Sequence, residues 1–215
     1  NQLRSNQPDQ ALATLQAGMP RSQEAREAAF ARISRLFQDP SLPASVIDLM
    51  QSLSEDYTNS PAAALGLARV GLARERFDLA QQAVSAALDK RPEWTTAQLL
   101  QADLLRRTNK SKAALAAYQD VIQTSEPGVQ TYLDAAQLAI DLGASVSAQN
   151  ILSQAIEQHP ERAPLRYVRA ISWMLDDQVV AAEADFRWLL QRQPNNPRVL
   201  NALGYTLVDQ TERID

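Results

Sequence analysis

From Pro61 onward, apolar residues recur three and four positions apart, the period of an amphipathic helix. Short polar stretches carrying proline, glycine or asparagine break the pattern at even intervals. Set in frames of 34 residues starting at Pro61, Thr95, Val129 and Ala163, the sequence aligns without a gap. The eighth position reads Ala68, Ala102, Ala136 and Ala170; the twentieth reads Ala80, Ala114, Ala148 and Ala182. Position twenty-four is always large and apolar, as Val84, Tyr118, Leu152 and Phe186, and position twenty-seven holds Ala87, Val121, Ala155 and Leu189.

Each frame therefore predicts two helices. Their small residues, at positions eight and twenty, belong where the helices cross with backbones close together, because a large side chain there would force them apart. The bulky residue at position twenty-four lies one turn further along the same face and fills the space between neighbouring units. The punctuation agrees. Ser60-Pro61 and Asn196-Pro197 place a capping side chain before a proline at the first helical residue. Pro92, Pro160 and Pro194 stop second helices, with Pro127 a near equivalent in the second frame. Gly143 stands where a first helix must end in a left-handed residue.

Outside the frames the pattern is looser. Residues 21–38, with Phe30, Ile33, Leu36 and Phe37, predict an amphipathic helix, broken by the prolines at 40 and 43. A second helix follows with Val46, Ile47, Leu49, Met50 and Leu53, and "PDQALATLQ" predicts a further short one. Ser34 and Val46 stand where the frame, run backwards, would have alanine. The expected organisation is irregular N-terminal helices over 1–60, four units at 61–94, 95–128, 129–162 and 163–196, and the first helix of an incomplete fifth unit over 197–215.

Composition narrows the function without naming it. The net charge of -4 disfavours binding to nucleic acid, which needs a basic surface. No apolar run is long enough to cross a membrane as a helix, so this segment is expected to make no membrane contact. With no cysteine there is neither a disulfide nor a thiolate metal site, which suits cytoplasm and periplasm equally. The one histidine, His159, sits in a turn; Asp176 and Asp177 are adjacent and diverge; no glycine-rich phosphate loop is present. Trp173 and Trp188 fall within one frame, as expected for packing between its helices. The expectation is a chain with no enzymatic activity, metal or cofactor.

The stretch "YLDAAQLAIDLGASVSAQNILSQAIEQHPE" resembles a tetratricopeptide repeat, and so do the other three frames. Glu75, Asn109 and Asp177 depart from the pattern, standing at the turn position where that family favours glycine. The resemblance implies an all-α, right-handed superhelical solenoid of antiparallel helix pairs that binds a protein or peptide in its concave groove. In that family the first helix of each pair lines the groove, mostly through positions two, five, nine and twelve. Position five gives Leu65, Leu99, Leu133, Tyr167 and Asn201; position nine gives Arg69, Asp103, Gln137, Ile171 and Tyr205; position twelve adds Leu72, Arg106, Ile140 and Met174. The set lacks the clustered cations with which some family members grip a terminal carboxylate, so recognition is expected through apolar and aromatic contact.

"NALGYTLVDQTERID" is similar to a stretch in large tetratricopeptide lipoproteins of proteobacteria. That resemblance implies a piece of a longer array: a periplasmic, outer-membrane-anchored adaptor for a carboxyl-terminal processing protease and its substrates. Two alternatives stay open, a self-assembling structural module and the targeting arm of a longer protein.

Overall fold

The computed structural model of the chain describes residues 8–212; the outermost parts of the expected flanking regions, residues 1–7 and 213–215, lie outside the described residues. Twelve α-helices and no strand occur among the described residues. They fall into two compact units, divided between Lys110 and Ser111. The first contains α1 (Pro8–Ala17), α2 (Gln23–Phe37), α3 (Val46–Asp56), α4 (Pro61–Ala73), α5 (Phe77–Lys90) and α6 (Thr95–Arg107). The second contains α7 (Ser111–Thr124), α8 (Val129–Asp141), α9 (Ser145–Gln158), α10 (Ala163–Leu175), α11 (Val179–Arg192) and α12 (Pro197–Glu212).

Helices α4, α6, α8, α10 and α12 begin at 61, 95, 129, 163 and 197, a constant step of 34 residues, and α5, α7, α9 and α11 keep the same step from 77. Side-chain caps mark the first and last of the five starts that step from 61. The Ser60 hydroxyl accepts from the Ala63 N–H at 3.3 Å, with Pro61 as the first helical residue. Asn196 Oδ1 accepts from the N–H groups of Arg198 at 3.1 Å and Val199 at 3.4 Å.

The turns within pairs are four copies of one device. The fifteenth residue of every frame has positive φ: Glu75 at 58°, Asn109 at 59°, Gly143 at 70° and Asp177 at 56°. The next N–H reaches back five residues, Arg76 to Gly71 (2.8 Å), Lys110 to Leu105 (2.9 Å), Ala144 to Ala139 (2.8 Å) and Gln178 to Trp173 (2.8 Å). This is the glycine-type helix ending, made three times without glycine. The left-handed region costs an L-residue about 1–2 kcal/mol, and glycine gives back up to about 1 kcal/mol of that in chain entropy. Glu75→Gly is therefore expected to raise stability by about 0.5–1 kcal/mol and Gly143→Ala to lower it by about as much. A Cβ on Gly143 would meet nothing within 4 Å, so the effect is conformational alone. Urea midpoints of the two variants should move in opposite directions.

All eight frame alanines are buried, with Ala80 the most accessible at 1%. The closeness of the crossing is explicit between α4 and α5, where a Cβ built on Gly71 would lie 3.2 Å from both the Cβ and the backbone nitrogen of Ala80. Val84, Tyr118, Leu152 and Phe186 are buried beside them. In the first unit α2 and α3 both pack on α4. Phe30, Phe37, Val46, Met50 and Leu53 are fully enclosed, whereas Leu36 is 54% exposed. Leu36 thus leaves the predicted apolar stripe: the inward line runs through Phe30, Ser34 and Phe37, and Leu36 falls to the outer side. Buried Ser34 satisfies itself by donating to the Ala31 carbonyl at 3.2 Å.

Candidate functional site

In the second unit, α8, α10, the end of α11 and α12 line an open cavity of about 520 Å³. Three residues expected from the frame line it: Leu133 and Gln137 from α8, and Tyr167 from α10. Val168, Leu189 and Val199 complete the apolar part, and Gln130, Asp134, Gln193 and Arg198 supply polar groups. Asp134 Oδ1 accepts from Gln130 Nε2 at 2.8 Å, and Gln137 Nε2 donates to Asp141 Oδ1 at 2.9 Å. The Arg198 guanidinium stands 5.8 Å from the Tyr167 ring centre. Tyr167 is itself fixed from behind by an edge-on contact with Phe186, centres 6.1 Å apart.

The other expected residues are placed differently. Ile171 and Met174 are half-buried against the core around Phe186 and Leu189, and Met174 Sδ accepts from the Thr206 hydroxyl at 3.3 Å. Ile140 is half-buried outside the cavity lining. Asn201 is exposed, and Tyr205 is 71% exposed on α12. Leu99, Arg69, Asp103 and Arg106 belong to the first unit, where Leu65 and Leu72 are core residues. Asp103 pairs with Arg106 and, at 3.3 Å, with Arg107 on its own helix. Burial, with Arg35 adding repulsion, lowers the pKa of the half-buried Arg69 guanidinium.

Several lining residues escaped the sequence reading. Gln130, Pro164 and Arg198 occupy position two of their frames, a position the family pattern includes but from which no residue was drawn. Leu189, Gln193 and Asn196 come from a second helix and the turn after it, which a rule about first helices does not cover.

The second unit also holds a buried charge cluster. Asp185 on α11, 4% exposed in its side chain, receives Arg169 Nε at 2.8 Å and Nη2 at 2.9 Å, and Arg166 Nη1 at 3.2 Å. Arg169 Nη1 continues to Ser153 Oγ on α9 at 3.0 Å. The Trp188 ring has Arg166 at 4.2 Å and Arg192 at 3.6 Å from its centre. Trp188 is thus held by cations as well as by helix packing; Trp173 packs against the Phe186 core. Burial raises the pKa of Tyr132, with the Glu126 carboxylate acting in the same direction, and its hydroxyl donates to Gln158 Oε1 at 2.8 Å. Among the described residues no acid, histidine and cysteine cluster could hold a metal ion, and no helix is long and apolar enough to cross a membrane.

Helix pairs stepping by 34 residues, with small residues at each crossing, define a specific repeat. Residues 65–128 match the tetratricopeptide repeat. A TPR repeat-containing protein of Pseudomonas aeruginosa is 31% identical over 123 residues, which take in 56% of this chain and 21% of that protein. The match thus spans about a fifth of the relative's length. A tetratricopeptide repeat protein from Parabacteroides merdae superposes with a TM-score of 0.67 at 15% identity, over 84% of this chain and 72% of that one. YrrB, a TPR protein with an unusual peptide-binding site, does so with a TM-score of 0.63 at 16% identity, over 81% and 90%. At these identities the structural likeness establishes the fold. The chain has the tetratricopeptide fold, a scaffold suited to protein–protein interaction.

Proposed function

We propose that this tetratricopeptide segment is an adaptor that receives a partner protein in the groove between α8, α10 and α12. The observation that carries the reading is the cavity: its about 520 Å³ falls within the roughly 300–1,000 Å³ of ordinary ligand sites, and its apolar surfaces are already formed. Similarity of residues 201–215 to proteobacterial tetratricopeptide lipoproteins supports a periplasmic setting, with a carboxyl-terminal processing protease and its substrates as partners. Any lipid anchor would belong to a part of the full-length protein outside this segment.

The purified protease is the probe. Leu133→Ala combined with Tyr167→Ala is expected to weaken its capture at least about tenfold, a loss of about 1.4 kcal/mol, with helicity by circular dichroism unchanged. Equal capture by the double variant removes the groove from the interface; no capture by the parent chain removes this protease as the partner.

A further inference from the structure

The groove's two sides carry opposite charge. On the α8 side stands Asp134, its carboxylate occupied by the Gln130 amide; on the α12 side stands Arg198, beside the face of Tyr167. Among the described residues no carboxylate pairs with Arg198, whereas the arginines of the fourth frame, Arg166, Arg169, Arg187 and Arg192, all have acidic partners. Between the two sides lie Leu133, Tyr167, Val168 and Leu189. The polar groups around this apolar strip are mainly amides; with the Nε2 atoms of Gln130 and Gln137 bound to aspartates, their oxygens remain as acceptors.

Resting on the groove assignment above, we propose that the occupant is an extended internal peptide segment with one bulky apolar side chain in the cavity and an Asp or Glu side chain beside it, paired with Arg198. The apolar strip supplies contact area without direction. The charges supply direction: a carboxylate is attracted at α12 and repelled at α8, so only one orientation of an acidic segment is favoured. Amide oxygens suit the N–H groups of a peptide backbone that has no internal hydrogen bonds. A terminal carboxylate fits less well, because it presents its charge at a chain end and calls for several converging donors, whereas the rim has one guanidinium. The pair with Arg198 forms as the occupant displaces water from Tyr167, which makes it stronger than an open surface ion pair.

A phage library of random peptides, panned on the full chain and on its Arg198→Glu and Leu133→Arg variants, tests this. The parent chain is expected to enrich Leu, Phe, Tyr or Met next to Asp or Glu. Arg198→Glu, an exposed substitution, should keep the apolar preference and lose or reverse the acidic one. In anisotropy titrations with a selected peptide, Arg198→Glu should weaken binding about tenfold, and by no more than about twofold once the peptide's acid is changed to its amide. Amidating the peptide's C-terminus should leave affinity unchanged; a large loss would identify the terminal carboxylate and overturn the proposal. It is equally overturned if the parent enriches apolar residues with no acidic neighbour, or if Arg198→Glu selects the same motif, and in both cases the groove reading stands. If Leu133→Arg selects the parent's peptides, or nothing is enriched on the parent, the groove reading falls with it.

Discussion

Replacing Asp185 by alanine is expected to destabilise the unit built from α7 to α12 by about 3 kcal/mol, among the largest effects of any single substitution here. The carboxylate is almost wholly enclosed and is the shared anion of two arginines, one gripping it with both of its available nitrogens. Removing it leaves Arg166 and Arg169, each less than a fifth exposed in its side chain, as neighbouring cations with no acid between them. The loss thus consists mainly of uncompensated buried charge rather than of a missing attraction. A second substitution separates these. Arg166→Met with Arg169→Leu in the Asp185→Ala background removes the stranded charges and should recover most of the stability, since buried ion clusters are commonly replaceable by apolar packing. Urea unfolding followed by tryptophan emission reads both, because Trp188 lies against Arg166. If the triple variant is no more stable than Asp185→Ala alone, stranded charge is not the cause.

This cluster also marks where the sequence stopped being informative. Positions four, seven and twenty-three of the first frame are Ala64, Leu67 and Ala83, all buried and apolar; in the fourth they are Arg166, Arg169 and Asp185. A periodic pattern reads the first set as core and the second as solvated surface. Only the crossing geometry shows that three charged residues have replaced three apolar ones together. The helix starts, the crossing alanines and the left-handed turn residues were legible, because each is set by neighbours within one frame and repeated four times. Leu36 was misread because one apolar residue beside a stripe looks like part of it. The cavity was legible in part. Leu133, Gln137 and Tyr167 came from the first-helix pattern, but a groove is also bounded by what flanks it. Leu189, Gln193 and Asn196 arrive from a neighbouring helix and turn that no single-helix pattern joins to them.

Ala80→Leu is the matching expectation for the first unit, at about 3 kcal/mol, the upper end of ordinary overpacking costs. Most overpacked sites relax when a neighbouring side chain turns aside. Here the atoms of Ala80 face Gly71, which has no side chain to move, and even a single added methyl on Gly71 would approach the Ala80 backbone nitrogen to 3.2 Å and its Cα to 3.3 Å. The three extra carbons of leucine can be housed only if α4 and α5 separate, which also loosens the packing of Val84 and Ala87 further along α5. Ala184→Leu, on the exposed side of α11, provides the control and should change stability by no more than about 0.5 kcal/mol. Because stacked repeats open locally, amide exchange is the sharper measure: Ala80→Leu should speed exchange most in α4 and α5. Equal midpoints for the two variants would mean that the small residues at the crossing are incidental, and the physical basis of the 34-residue register would fall with them.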